Sequence, residues 1–417
     1  MSNVPLFDGL PREGAASRRW LSIVGIGEDG VQGLSPVSRG LIEQADIVFG
    51  GRRHLALAAS LIRGATRPWP SPFDGAAEEI LSHRGRRVCV LASGDPFQYG
   101  VGAVLIRHID AREMLVVPAP SAFSLAAARL GWPLAETALL SLHGRSLDLV
   151  RPHLQPGARI LALTSDGDGP AAVARLLAGI GFGASRLTVL EALGGPRERV
   201  RTGSVAGCDF GDIDALNVVA IEVAAAPGAR VLPRAPGLAD ELFEHDGQIT
   251  KREVRAVTLS SLAPRRGELL WDVGAGSGSI AIEWLLADPV MRAIAIERRA
   301  DRAARIRRNA AAFGVPGLSV VDGEAPAALG GLPIPDAIFI GGGGERAVLD
   351  AAAHALRPGG RLVANAVTLE TETVLLARHA AVGGELVRIA VARAAPIGEK
   401  TGWRSAMPVT QWIWIKP

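Results

Sequence analysis

Cysteine is almost missing from this chain: its 417 residues contain two, Cys89 and Cys208. Two thiols build no disulfide framework, and neither stands in a metal-ligand spacing, so core packing is the expected role of both and no metal is expected. Long apolar runs are missing too. None reaches the ~18 residues that would span a bilayer, and the N-terminus lacks the basic, apolar and small-residue succession of a secretion signal. The expectation is a cytoplasmic protein without a membrane partner. Lysine is scarce, occurring only at 251, 400 and 416, and the net charge is only +3. No basic stripe interleaved with aromatics appears, so nucleic acid is not an expected partner.

What is abundant is apolar residues at 48%, with 50 glycines and 27 prolines. That mixture fits alternating α/β units joined by tight turns, and the length suits two or three domains. Residues 1–18 are polar and rich in turn formers, and partial disorder is expected there. Strand-like runs follow at 20–24, 46–49, 87–92, 114–117, 159–163, 186–190 and 216–223. Helical patterns lie between most of them, for which parallel pairing is the default. Prolines and glycines between Ala224 and Gly237 reject both helix and strand, placing a linker at 226–239. Alternation restarts with strands at 268–273, 293–297, 318–321, 336–340 and 361–365, then a final pair near 386–394 and 409–415. The expected domains are therefore 19–225 and 240–417.

The most informative stretch is Leu269–Ser279, a short apolar strand running into Asp272-Val273-Gly274-Ala275-Gly276-Ser277-Gly278 and then an amphipathic helix. Alternate glycines let a flat ligand approach main-chain atoms where a Cβ would clash. Glu297 closes the next apolar strand at the spacing where a carboxylate accepts the hydroxyls of a ribose. A dinucleotide fingerprint needs a glycine or alanine where Ser279 stands. The pattern D-x-G-x-G-x-G resembles instead the first motif of the class I S-adenosylmethionine (SAM) methyltransferases. A nicotinamide or flavin ligand is the alternative such a loop leaves open.

Around this loop, Thr250 and Glu253 read as a capping box for a helix burying Val254, Val257, Leu259 and Leu262. Lys251, Arg252 and Arg255 oppose the dipole of that helix, which suits an anionic substrate or, equally, a solvated basic face. Asp322-Gly323-Glu324 ends a strand and suits an adenine edge. Phe339 to Gly344 ends the next, where Gly341 and Gly342 admit a bulky planar substrate. Gly398 to Trp403 reads as a lid or substrate loop. Together I-T-K-R-E-V-R, D-V-G-A-G-S-G-S, D-G-E-A and I-F-I-G-G resemble the decarboxylating precorrin methyltransferase family, over about 240–417. By that resemblance Thr250, Asp272, Gly274, Gly276, Gly278, Glu297, Gly323, Glu324 and Gly341 hold SAM. Lys251, Arg252, Arg255 and Gly342 meet the substrate.

The first half has its own glycine loop, Gly25-x-Gly27-x-x-Gly30. Glu28 and Asp29 within it would repel a pyrophosphate and tolerate a sulfonium or a neutral nucleoside. Three more turn-like clusters follow at strand ends: Ser93-Gly94-Asp95-Pro96, Pro118-Ala119-Pro120-Ser121-Ala122, and His143-Gly144-Arg145. In order and spacing they resemble the tetrapyrrole (corrin/porphyrin) methylase superfamily over about 19–223, although the family's P-G-x-S loop is here Pro118-Ala119-Pro120-Ser121. The resemblance implies SAM contacts from Gly25, Gly27, Gly94, Asp95, Ser121 and Ala122. His143 and Arg145 either hold substrate carboxylates or are ordinary loop residues.

The expected fold class is thus α/β: a tetrapyrrole methylase fold of two α/β subdomains fused to a class I, Rossmann-like methyltransferase domain. The two resemblances imply SAM-dependent methylation of a precorrin at carbons 5 and 15 with decarboxylation of an acetate side chain, in aerobic cobalamin biosynthesis. They also imply one SAM per domain and a homo-oligomer. Methylation of RNA or another small molecule is the alternative, and a module that senses SAM without turnover is a second. No catalytic side chain is named, because an electron-rich ring carbon would itself attack the methyl group and catalysis would come mainly from alignment.

Overall fold

The computed structural model describes residues 19–70, 75–207 and 210–417. The disorder expected at 1–18 and the packing expected of Cys208 lie outside the described residues. The chain forms two compact units: one runs to Arg145 and resumes over Pro156–Arg230, and the other takes Ser146–Gln155 and Val231–Pro417. Among the described residues no helix is long and apolar enough to cross a membrane.

The first unit opens with β1 (Leu21–Ile26), β2 (Ile47–Gly50), β3 (Ala65–Pro68), β4 (Val88–Ser93) and β5 (Met114–Val117). They form a parallel sheet in the order β3-β2-β4-β1-β5. The β1, β2 and β4 runs are apolar almost throughout because helices cover both faces of a parallel sheet. Leu21, Ile23, Phe49 and Val90 pack on one side, and Val24, Val48, Cys89 and Leu91 on the other. Edge strand β3 is exposed along its whole length and ends in proline, so it carries no apolar signal and escapes sequence reading.

A second sheet of the same unit holds β6 (Thr137–Ser141), β7 (Arg159–Leu163), β8 (Arg186–Glu191), β9 (Arg199–Ser204) and β10 (Asn217–Glu222), in the order β6-β7-β10-β8-β9. The expectation of parallel pairing fails here. β10 runs antiparallel to β7 and β8, and β9 antiparallel to β8. Among the described residues no α-helix separates β8, β9 and β10, and connections this short return the chain antiparallel. Strands β6 and β9, also missed in the sequence, are a short edge and a largely polar edge.

The second unit is built on β11 (Leu269–Val273), β12 (Arg292–Glu297), β13 (Ser319–Asp322), β14 (Ala337–Ile340) and β15 (Arg361–Ala366), with β16 (Glu385–Ile389), β17 (Ala392–Ile397), β18 (Lys400–Ser405) and β19 (Val409–Ile415) following. The main sheet runs β13-β12-β11-β14-β15-β19-β16, parallel from β13 through β15. β19 is antiparallel to both of its neighbours. The strand order reverses between β11 and β14, the place where open α/β sheets bind ligands. The segment 398–403, expected as a lid loop, is instead the turn and second strand of an antiparallel β17–β18 ribbon. The helix before β11 spans Arg252–Leu262 and buries Val254, Leu259 and Leu262, but Val257 points outward and Thr258 takes the inner place.

Close packing at the strand ends sets a hard requirement for glycine. A Cβ on Gly25 would fall 1.9 Å from the Gly94 carbonyl oxygen and 2.5 Å from the Ala119 nitrogen. Gly131 is also a glycine of the first unit, with φ of +67° and nothing within 4 Å of its Cβ position. Gly131→Ala should therefore cost about 1 kcal/mol through backbone strain alone. Gly25→Ala should lower the melting temperature several degrees further, read by thermal denaturation. Equal losses in the two variants would contradict the packing assigned to Gly25.

Candidate active site

In the first unit a cavity of about 610 Å³ is lined by the loops that follow β1, β4, β5 and β6 together with residues of the second sheet. That volume suits a small-molecule site. Gly27, Gly94, Ser121, Ala122, His143 and Arg145 all line it, so four separate loops meet there. Gly25 and Asp95 do not. Gly25 lies in the packed junction beneath the loops, and the Asp95 carboxylate accepts the Phe97 N–H at 2.8 Å, closing its own turn. The Ser121 hydroxyl accepts the Ser124 N–H at 3.1 Å as the N-cap of the helix Ala122–Leu130. Its side chain is therefore engaged, and what it can offer a ligand is backbone.

The charges of this cleft differ from those the loop sequence suggests. Glu28 lines it but is no isolated anion, since Arg53 and Arg197 both pair with its carboxylate, the latter at 3.4 Å. Arg145 lies over the Tyr99 ring at 5.6 Å, and the Tyr99 hydroxyl donates to the Leu139 carbonyl at 2.9 Å. His143 holds the Thr164 carbonyl through Nδ1 at 3.2 Å. Arg53 Nη2 lies 2.8 Å from His54 Nε2 and 3.0 Å from Ser93 Oγ, and the last two are 2.8 Å apart. Burial, and then the Arg53 charge, push the His54 imidazole down to about 4. Arg53, His54 and Trp69 escaped sequence reading. Two of them come within three residues after the glycine pair Gly50-Gly51 at the end of β2, the same strand-end signal that marked the other loops.

The second unit centres on the glycine loop after β11. Gly274 and Ala275 donate to the Ile296 carbonyl at 2.9 and 3.1 Å. A Cβ on Gly274 would lie 2.5 Å from the Gly342 carbonyl oxygen, so the tips after β11 and β14 touch through backbone. Glu297 is buried, and its two oxygens accept the N–H groups of Gly276 and Arg299 at 2.9 and 3.0 Å. Gly323 donates to the Glu297 carbonyl at 3.0 Å, which brings the end of β13 to the same place. Glu324 stands outside it, exposed and paired with Arg298 at 3.1 Å. Gly341 donates to the Val273 carbonyl at 3.1 Å, next to the exposed Gly342. Asn309 donates to the Ser277 carbonyl at 2.9 Å while also bonding the Glu244 backbone, so the helix Ala300–Ala312 pins the loop from behind.

Asp272 is the unusual group. Its Oδ2 accepts the Ala281 N–H at 3.1 Å, capping the helix Ser279–Ala287, while its buried Oδ1 has no hydrogen-bond partner. Burial, with the Glu297 charge adding to it, raises the carboxyl to about 7.

Two expectations around the helix Arg252–Leu262 are corrected. Its N-cap is Lys251, without a side-chain cap bond, rather than Thr250. The Thr250 carbonyl accepts from Arg255 Nη1, and Glu253 pairs with Arg393 instead of closing a capping box. Arg255 is not a surface cation. It is fully buried and binds Glu283, Asp240 and the Leu238 carbonyl, with its guanidinium over the Phe243 ring at 4.8 Å. Glu283 also accepts from Gly237 and Leu238, so this ion pair ties the 237–250 segment to two helices and has nothing left for a substrate. Lys251, 3.8 Å from Asp240, and Arg252 remain exposed.

Residues 21–208 match the family model for tetrapyrrole (corrin/porphyrin) methylases, and residues 241–416 match that for the precorrin methyltransferase domain. A Sinorhizobium protein named precorrin-6Y C(5,15)-methyltransferase (decarboxylating) is 64% identical over 398 residues, covering 95% of this chain and 96% of the relative. Its Mycobacterium tuberculosis namesake is 44% identical over 94% of this chain and 98% of its own length. A shorter Salmonella typhimurium protein, named cobalt-precorrin-6B C(15)-methyltransferase (decarboxylating), is 35% identical over 41% of this chain and 91% of its own length.

The raised Asp272 carboxyl has a stability consequence of definite sign. Its folded-state value of about 7 lies above the ordinary 3.8, so the stability it contributes is fully present below pH 3.8 and lost as pH rises through about 7. Asp272→Asn keeps an acceptor for Ala281 and removes this titration. The ligand-free protein should then melt with a shallower pH dependence between about pH 4 and pH 7 than the parent. An unchanged slope in calorimetric scans would show that Asp272 ionises freely.

Proposed function

The chain belongs to the precorrin-6Y C(5,15)-methyltransferase (decarboxylating) family, and from that premise we propose that each of its two units holds one SAM and carries out one of the two methylations. It is a SAM-dependent C-methyltransferase of cobalamin biosynthesis, acting on a precorrin macrocycle. SAM supplies a methyl group on a positively charged sulfur, which an electron-rich ring carbon can take up.

The residues of the second unit fit that donor. A glycine cradle that a Cβ would fill, the unpartnered Asp272 Oδ1 and the Glu297 carboxylate together offer backbone contact and hydrogen-bond acceptors. Each Glu297 oxygen has accepted one N–H and retains a further acceptor direction for a ribose hydroxyl. Two buried carboxylates beside the loop also favour a cation, and a cation beside Asp272 would hold it ionised. Thr250, Gly323 and Gly341 are assigned to the same donor site, while Glu324 stays outside it on Arg298, and Lys251, Arg252 and Gly342 lie on the substrate side. In the first unit the cavity takes the donor against Gly27, Gly94, Ser121 and Ala122, with Gly25 and Asp95 shaping the loops from behind. Arg145, with His143 beside it, meets substrate carboxylates through charge-assisted bonds.

Catalysis on this reading is alignment. The loops fix two reactants at one strand end and exclude water, converting a bimolecular encounter into an in-line transfer. Decarboxylation belongs to the second unit, because the decarboxylating family resemblance covers 240–417. The Salmonella relative supports one unit sufficing, since its name assigns C(15) methylation and decarboxylation to a single short chain. The first unit then takes carbon 5. The enzyme works as a cytoplasmic homo-oligomer on this reading, and the exposed Ile397, Trp403 and Met407 on and beside the β17–β18 ribbon offer an apolar surface for a second copy.

The observation that carries the two-site reading is the pair of separate glycine junctions, at Gly25 and Gly274, each at a strand end beside acceptors or a cavity. Glu297→Gln tests it. Loss of a charged acceptor should raise KM for SAM at least about tenfold in the methylation that accompanies decarboxylation. The other methylation, followed by the position of labelled methyl in the product, should change less than about twofold. If both methylations fall together, one donor site serves both and the reading fails.

A further inference from the structure

The triangle of Arg53, His54 and Ser93 in the first cleft is not explained by any role assigned above. A guanidinium carries only donors, so Arg53 Nη2, 2.8 Å from His54 Nε2, requires that nitrogen to be unprotonated. The depressed imidazole titration agrees with this neutral form. Ser93 Oγ lies 2.8 Å from the same nitrogen and 3.0 Å from Arg53 Nη2. Its oxygen therefore accepts from the arginine, while its proton shares the one Nε2 lone pair with Arg53 and the ring hydrogen stays on the buried, unpartnered Nδ1. Arg53 cannot swing away cheaply, because Nη1 is paired with Glu28, which Arg197 also holds. Ser93 and His54 both line the cavity, and Ser93 is exposed there.

We propose that His54 is a positioning residue which commits the Ser93 proton, so that Ser93 presents only a lone pair to the first cleft and selects a ligand bearing an N–H donor at that point. The inference rests on the reading that this cleft binds SAM and a precorrin. Two ligand groups have the required chemistry: a pyrrole-type N–H of the macrocycle, and an amino group of the methyl donor. Without the imidazole the Ser93 hydroxyl is free to turn its proton into the cleft, where it would meet another donor.

Variants at 54 separate this role from simple packing. In His54→Gln the amide oxygen reaches the place of Nε2 and keeps an acceptor for both Arg53 and Ser93. In His54→Leu the bulk remains and the acceptor is gone. The first methylation, assayed in the full chain with SAM and precorrin-6Y, should keep near-parental KM values in His54→Gln. In His54→Leu one KM should rise about tenfold, the loss of one ordinary hydrogen bond, with kcat within about twofold. A rise confined to precorrin-6Y assigns the donor to the macrocycle, and a rise confined to SAM assigns it to the methyl donor. Ser93→Ala should show the same rise, and His54→Leu/Ser93→Ala no more than Ser93→Ala alone, because the two residues act through one contact. Additive losses, equal damage in His54→Gln and His54→Leu, or unchanged KM values in all three single variants would overturn the inference. The two-site reading fails by a different result, the joint loss of both methylations in Glu297→Gln.

Discussion

Main chain touches main chain at the strand ends of both units, and everything proposed for the sites depends on that closeness. Gly25 faces the Gly94 carbonyl, and Gly274 faces the Gly342 carbonyl, at separations that no Cβ allows. These contacts draw loops from neighbouring parallel strands into one small region beyond the carboxyl edge of each sheet. A ligand bound there meets several loops at once, and its orientation is set by backbone, the least mobile part of the protein. For a reaction whose nucleophile and electrophile both belong to the substrates, holding them in line is most of what a protein has to supply.

The two units reach this geometry with opposite electrostatics. In the first cleft Glu28 is shared between Arg53 and Arg197, and Arg145 stacks on Tyr99 nearby, so cations outnumber anions. Beside the second loop the fixed charges are the buried carboxylates Asp272 and Glu297. The first arrangement favours the carboxylate-bearing face of a macrocycle. The second favours a positively charged donor, and it leaves Asp272 poorly solvated until such a partner arrives. Behind the second loop, the buried Arg255–Glu283 pair spends its charges on the Gly237 to Thr250 backbone and fixes the approach to the site without entering it.

Much of this was legible in the chain because it is written in backbone terms. Asp272 to Gly278, Gly25 to Gly30 and Ser93 to Pro96 announce strand-to-helix turns through residue types whose conformational needs are local. The parallel strands showed for a similar reason, since burial on both faces leaves uninterrupted apolar runs such as Val88–Leu91. Side-chain partnerships were not legible. Arg255 and Glu283 are 28 residues apart in sequence, and nothing near either one shows that the two meet in the core. The same holds for Arg53 with Glu28, and it turned a presumed repulsive loop into a neutralised one. Edge strands β3 and β9 and the antiparallel turn of β10 escaped because edges and short connections carry no periodic apolar signal.

The central claim is that one chain carries two independent donor sites. Titration calorimetry of the full chain with S-adenosylhomocysteine tests it most directly, since the ligand carries the nucleoside and no methyl to transfer. The account predicts two equivalents bound per chain. Saturation at a single equivalent would contradict it.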